Sequence, residues 1–303
     1  MATVRRVAFI GLGNMGAPMA GNVISAGFDT VVFDLDPVKV NTLVEVGATA
    51  APDLCTAVVD ADVVMTSLPG PAQVRAVALE IVPVMRPGAI WVDLSTNDLD
   101  CGRFIADLAA AHGVAVLDAP VTGGVEGAAA GDLAVLVGGD HEAHAACAPV
   151  FSVIGSRYDL LGPHGAGYVA KIAQVMLCYL NSVCLTEALV LGAKGGVEPA
   201  KMLDIIRNST GRSYVADRYG PEILGGGYDA TFDLTLAAKD LRLAMQLAGE
   251  LGATLPFTDS VSNFYDRAED RYGAHAPHLM AVRQIEVAND MILHRNTGDR
   301  SPA

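Results

Sequence analysis

Basic residues are scarce in this 303-residue chain: 20 lysines and arginines stand against 34 aspartates and glutamates, for a formal net charge of −14 at pH 7. A nucleic-acid partner needs a basic stripe to neutralise phosphates, and the sequence has none, which excludes that class of ligand. Cysteine is also sparse, with five residues at positions 55, 101, 147, 178 and 184 and no CxxC pair. The odd count and the missing ligand spacing argue against a disulfide framework and against a metal site; no metal is expected, and a reduced, cytoplasmic setting is. Charged residues make up only 18% and hydrophobic ones 51%, a balance that belongs to a buried core and not to a disordered chain. No long apolar run is uninterrupted. The longest, 169–192, is broken by Lys171, Gln174, Asn181, Ser182 and Glu187, so it reads as a helix buried within a protein and not as a membrane span. The first residues enter a strand-like segment almost at once, so no signal peptide is expected.

What is present begins with Gly11-Leu12-Gly13-Asn14-Met15-Gly16. A strand-like segment, 4–10, leads into it and a helix-like segment, 15–26, leads out. A β-branched run, 30–33, then ends on Asp34, 18 residues after Gly16. That is the spacing of a dinucleotide-binding βαβ unit. Gly11 allows the tight turn, Gly13 lets the backbone approach a pyrophosphate, and Gly16 lets the helix pack against the strand. The helix start presents N–H groups and a partial positive charge to the phosphates. A carboxylate at Asp34 accepts hydrogen bonds from both ribose hydroxyls and repels a 2′-phosphate. The nearest following basic residue is Lys39. NAD is therefore expected in preference to NADP.

The first half continues to alternate. Helices are expected at about 38–46, after Pro71 as far as Met85, and at about 99–112. Strands are expected at 62–66, 89–93, 114–118, 133–137 and 158–161. Such alternation implies a mainly parallel sheet covered by helices on both faces. Past Gly162 helical periodicity takes over, with helices expected at about 168–195, 199–208, 236–251, 258–271 and 278–292. The expected fold is α/β: an N-terminal Rossmann, doubly wound parallel sheet over 1–163, an all-helical domain over 164–294 for substrate binding and dimerisation, and a flexible tail at 295–303.

Three further constellations carry chemistry. Asp93-Leu-Ser95-Thr96 closes the fourth expected strand, and strand ends of this kind line a cofactor crevice. Thr96 and the Leu68-Pro69 turn are placed for the nicotinamide side. The segment Asp118-Ala-Pro-Val-Thr122-Gly123-Gly124 runs from a strand into a hydroxyl residue and two glycines, whose backbone N–H groups can hold a carboxylate. Lys171 sits on the long apolar helix, where burial of its charge is costly. It either snorkels to solvent or serves in a site that tunes it to exchange a proton with a hydroxyl.

Together these blocks resemble the β-hydroxyacid dehydrogenases, the family that includes 3-hydroxyisobutyrate dehydrogenase and tartronate semialdehyde reductase. The resemblance rests on Gly11 to Met19, on Asp118 to Gly124, on Gly165-x-Gly167-x-x-x-Lys171 and on Lys239-Asp-Leu-Arg-Leu-Ala244, and it spans about residues 4–292. It implies Lys171 as the catalytic lysine. It implies Thr122, Gly123 and Gly124 as the holders of the substrate's acid group, with Thr where Ser is usual. Leu68, Pro69, Thr96, Phe232 and Lys239 follow as cofactor contacts, and dimers or tetramers as the assembly. One departure concerns the substrate. The family reads Lys-x-x-Asn-Asn, whereas this chain has Gln174 and Val175. Val175 cannot hydrogen-bond as the second Asn does; Gln174 is a helical neighbour of Lys171 that offers an amide. The expected reaction is hydride transfer between NAD and a small β-hydroxy acid. An imine-reducing relative and a nucleotide-binding module without catalysis remain as alternatives, the first opposed by Lys171 and the second by the intact glycine blocks.

Overall fold

The computed structural model describes residues 4–294; the expected tail at 295–303 lies outside the described residues. Contacts divide the chain into two compact units, residues 1–171 and 172–303.

The first unit opens with β1 (Arg6–Ile10), α1 (Gly16–Ser25), β2 (Asp29–Phe33), α2 (Pro37–Val44), β3 (Thr49–Ala50), α3 (Leu54–Val58) and β4 (Val63–Thr66). It continues with α4 (Pro71–Ile81), β5 (Ile90–Asp93), α5 (Leu99–Ala110), β6 (Ala115–Asp118), β7 (Val121–Thr122), α6 (Gly124–Ala130), β8 (Leu133–Gly139), α7 (His141–Ile154) and β9 (Gly155–Gly162). The strand order is β3-β2-β1-β4-β5-β6-β8-β7, with β9 on β8. From β3 to β6 every pairing is parallel. This is the doubly wound dinucleotide-binding order, which reverses between β1 and β4. β8 runs antiparallel to β6 and β7, so the sheet is mixed at this edge.

Alternation within the parallel strands builds two cores. Val7, Phe9, Met65 and Val92 face α1 and α7, meeting Met19, Val23, Val150 and Phe151. Ala8, Ile10, Val64 and Trp91 face the other way, onto Val74, Ile81, Cys101 and Ile105 of α4 and α5. Strands buried on both faces read as continuous apolar runs, which is why they were visible in the sequence.

The long helix α8 (Ala166–Lys194) starts in the first unit. Among the described helices it is the one long and apolar enough, by length and composition, to cross a membrane; 44% of its most apolar window is buried. It was expected to be a buried helix, but Leu177 and Leu191 are exposed. The second unit adds α9 (Pro199–Arg207), α10 (Tyr214–Arg218), α11 (Gly220–Gly225), α12 (Leu234–Leu251), α13 (Pro256–Tyr272) and α14 (Arg283–Ala288). Its two clusters join Leu185 and Leu189 to Leu203 and Val282, and Tyr179 to Leu241 and Tyr265. Beyond β9 the described residues hold no strand, only a single bridge between Asp233 and Pro277.

Several expectations are corrected. The helix expected over 278–292 is a 3₁₀ turn, His278–Val282, followed by α14 and an irregular end. Tertiary bonds bend it: buried His278 pairs with Asp229, and Glu286 accepts from the Tyr228 hydroxyl and from Leu293 N–H. Asp290, at φ 51, ends any helical continuation. The helix expected up to Met85 stops at Ile81, with a 3₁₀ turn over Val82–Val84. Short β3 makes the strand ending at Asp93 the fifth, and α3 and α7 fill stretches for which no helix was expected.

Candidate active site

The loops after β1 and β4 meet at the point where the strand order reverses. Ser67 N–H donates to Ile10 O, and Gly11 N–H donates to Phe33 O. Gly11 has φ +88, and a Cβ there would overlap the Ser67 carbonyl oxygen. A Cβ on Gly16 would overlap the Gly11 carbonyl oxygen, so only glycine lets α1 pack on this turn. Gly13 is different: a Cβ built there meets no heavy atom within 4 Å. Its backbone is thus open to a close ligand. The first turn of α1 has no acidic residue and no side-chain cap, which leaves its field available to an anion.

Asp34, half-buried at the end of β2, closes this loop from the other side. Its Oδ2 accepts Leu12 N–H at 2.6 Å and its Oδ1 accepts Asp36 N–H at 2.9 Å. Lys39 Nζ lies 3.9 Å from Oδ1. A carboxylate has about four acceptor positions, so these bonds leave capacity for ribose hydroxyls. After β4, Leu68 N–H donates to Ser95 Oγ at 2.9 Å, and Pro69 is exposed. Thr96, half-buried, lies between buried Ser95 and Asn97. These residues, from Gly11 to Thr96, are gathered at the carboxyl ends of adjacent strands.

The next strand end fixes the start of α8. Asp118, fully buried, accepts Gly165 N–H at 2.8 Å and Tyr168 N–H at 3.1 Å. It thereby supplies a cap from 47 and 50 residues away, where the helix dipole favours negative charge. A Cβ on Gly167 would overlap the Leu136 carbonyl oxygen, so α8 begins in close contact with the sheet. His164 Nε2–H donates to Gly102 O at 3.0 Å, while Nδ1 lies 3.1 Å from Asp118 Oδ1, at ion-pair distance. Burial alone lowers the His164 pKa, but the carboxylate of Asp118 outweighs it and holds the imidazole above its usual value. Lys171 follows one turn after Tyr168 and is half-buried.

Thr122 ends β7, which pairs antiparallel with β8. Gly123 and Gly124 follow at φ +136 and φ +70, a region that favours glycine. In the second unit, Gln174 is exposed and Val175 half-buried on α8. Lys239 Nζ on α12 lies 3.1 Å from Asp240 Oδ1, and Asp240 also accepts the Tyr179 hydroxyl at 2.8 Å. Phe232, before α12, meets His278 edge-on with centroids 5.6 Å apart. Sequence reasoning placed Asp93 and Asp118 at strand ends but gave neither a partner. Their bonds to 165–168 depend on tertiary contacts that no local pattern announces. Among the described residues no group of three His, Cys, Asp or Glu side chains is arranged to hold a metal.

Comparisons with known proteins agree with this fold. Residues 6–162 match the family profile of the NAD binding domain of 6-phosphogluconate dehydrogenase. Residues 165–285 match that of the NAD-binding region of NADP-dependent 3-hydroxyisobutyrate dehydrogenase. The chain is 37% identical over 269 residues to 3-hydroxyisobutyrate dehydrogenase of Pseudomonas aeruginosa, covering 86% of this chain and 90% of the relative. It is also 37% identical over 272 residues to the NAD-dependent L-serine dehydrogenase of the same organism, covering 86% and 91%. A solved structure of Mycobacterium tuberculosis 3-hydroxyisobutyrate dehydrogenase with L-serine superposes with a TM-score of 0.85 at 32% identity, over 93% of this chain and 99% of that one.

Proposed function

The chain belongs to the β-hydroxyacid dehydrogenase family, and from that premise we propose that it transfers hydride between NAD and a small β-hydroxy acid of the 3-hydroxyisobutyrate type, with Lys171 as general acid and base. Family membership makes it a nicotinamide-dependent oxidoreductase acting on the hydroxyl group of hydroxy acids. The observation that carries the reading of Lys171 is its place one helical turn beyond the α8 amides that Asp118 caps at the end of β6.

The residues present suit a dinucleotide. Open space at Gly13 and an uncapped α1 start receive the pyrophosphate, with Leu12, Asn14 and Met15 in the same turn. Asp34 takes the adenosine ribose, which favours NAD over NADP. Leu68, Pro69, Thr96, Phe232 and Lys239 are assigned to the rest of the cofactor. When bound, the nicotinamide accepts or returns the hydride. The backbone N–H groups of Thr122, Gly123 and Gly124 hold the substrate's acid group and so orient its carbinol carbon. Lys171 Nζ takes the hydroxyl proton during oxidation and gives it back during reduction. Gln174 offers one amide beside the lysine and Val175 an apolar surface, which selects a less polar or bulkier substituent than the usual Asn pair would. The domain 164–294 is assigned to substrate binding and to the contacts of a dimer or tetramer, the latter supported by exposed Leu177 and Leu191 on α8. The enzyme acts in the cytoplasm.

Replacing Lys171 with Met tests the assignment. Oxidation of a hydroxy-acid panel followed at 340 nm is expected to fall by about 10²–10⁴-fold, with NADH binding by fluorescence unchanged. Turnover retained above about a tenth refutes the role, since acid–base groups contribute more than that. A wild-type enzyme that binds NAD yet is silent on the whole panel refutes the substrate class.

A further inference from the structure

A second buried carboxylate joins the segments on which the proposed reaction depends. Asp93, the last residue of β5, is fully buried. Its Oδ1 accepts the Thr66 hydroxyl at 2.9 Å and Ser95 N–H at 3.1 Å. Its Oδ2 accepts the Tyr168 hydroxyl at 2.7 Å and Asn97 Nδ2–H at 3.2 Å. All four partners donate, which saturates an ionised carboxylate. Burial pushes the Asp93 carboxyl up, and the bonds from Ser95, Tyr168 and Thr66 oppose that rise. Ser95 also receives Leu68 N–H through its hydroxyl. One carboxylate therefore braces the Leu68 turn, both neighbours of Thr96, and the residue one helical turn before Lys171.

Tyr168 fits a recess made for it. Its ring is fully buried and stands edge-on to His164, centroids 6.1 Å apart. Gly102 of α5 makes the room: a Cβ there would come within 3.1 Å of the Tyr168 ring. The position is one of the unassigned places in the Gly165-x-Gly167-x-x-x-Lys171 stretch, so no motif gives it a role. The backbone at the start of α8 is already held by Asp118 through Gly165 and Tyr168 amides. The hydroxyl adds a different restraint, a lateral one at the tip of a long rigid side chain.

We propose that Tyr168 is a positioning residue: its hydroxyl, held by Asp93, sets the axial rotation of the first turns of α8 and so the direction in which Lys171 is presented. This rests on the reading of Lys171 given above. A lysine tip roughly 6 Å from the helix axis moves about 1 Å when the helix turns by about 10°. A misplacement of about 1 Å costs on the order of 10²-fold in rate.

Tyr168→Phe removes only the hydroxyl and keeps the ring in its recess and the Asp118 cap in place. In the active enzyme kcat is expected to fall about 10- to 100-fold, while the dissociation constant for NADH stays within about twofold of wild type. The primary isotope effect on kcat, read with substrate deuterated at the carbinol carbon, is expected to rise because misaligned hydride transfer becomes limiting. Amide exchange measured by mass spectrometry is expected to quicken over 168–172 and stay unchanged over 6–16. A kcat within about twofold of wild type overturns the proposal, and so does a loss of NADH affinity that matches the loss in kcat, which marks general loosening. Exchange is read without turnover: if the wild type proves inert on hydroxy acids, the proposed reaction fails while unchanged exchange in Tyr168→Phe overturns the restraint and faster exchange upholds it.

Discussion

Adding one methyl group at Gly13 or at Gly16 is expected to break different properties of the same loop. At Gly16 the new Cβ overlaps the Gly11 carbonyl oxygen and comes within 3.0 Å of the Gly11 carbonyl carbon and 3.3 Å of Ser67 Cβ. Gly11 cannot yield, because it is pinned by its bond to Phe33 O and by contact with Ser67. α1 must instead retreat by on the order of 1 Å, drawing Met19, Ala20 and Val23 from the sheet. Overpacking of this kind costs about 1–3 kcal/mol. At about 2–4 °C per kcal/mol for a unit of this size, Gly16→Ala should melt up to about 12 °C lower. At Gly13 the Cβ meets nothing within 4 Å, so Gly13→Ala should stay within about 2 °C of wild type. On the proposed reading of the loop, however, the methyl group would stand where the pyrophosphate approaches. Losing one charge-assisted bond to the backbone, about 1.5–3 kcal/mol, should weaken NADH binding by about 10- to 100-fold. Thermal melts and NADH fluorescence titrations on the same preparations separate the two effects. Wild-type affinity in Gly13→Ala, or a melt within about 1 °C of wild type in Gly16→Ala, refutes the reasoning.

Two further predictions concern charge. The double change Asp34→Ser and Leu35→Arg, the latter at an exposed position, should invert the ratio of kcat/KM for NAD to that for NADP; a wild type that already favours NADP contradicts the role of Asp34. His164 is held above its usual pKa against the lowering effect of burial, so its protonated form stabilises the fold fully below about pH 6.5, and that contribution is lost as pH rises through the higher folded value. Melts from about pH 5.5 to 9 should show wild type losing stability relative to His164→Asn above about pH 6.5, and parallel curves would show that the ion pair with Asp118 contributes nothing.

The parallel half of the sheet was legible because buried strands are apolar throughout and the glycine turn has fixed spacing. Helix α7 was not, although the 20 residues between the strands expected at 133–137 and 158–161 exceed what a compact domain leaves without structure. Asp140 caps it through Glu142 and Ala143 N–H, but Pro149 inside the helix disguises the period. The end of the chain was misread for the opposite reason. Helical periodicity over 278–292 was real, and the Asp229–His278 and Tyr228–Glu286 pairs overrode it. Within the site, the need for glycine at 11 and 16 follows from local chemistry and was readable. Asp93, Asp118 and Tyr168 take their meaning from partners dozens of residues away and were not.

The cap on α8 also ties that helix to the sheet. The start of α8 makes local bonds, Ala166 N–H to Pro163 O and Val169 N–H to Gly165 O, but the amides of Gly165 and Tyr168 are held by Asp118, an acid that β6 places there as part of the sheet. The βαβ unit around Gly11 needs neither β6 nor α8 to form its turn. The start of α8 therefore depends on a strand from the middle of the sheet, whereas the glycine turn depends only on its own βαβ unit and the loop after β4.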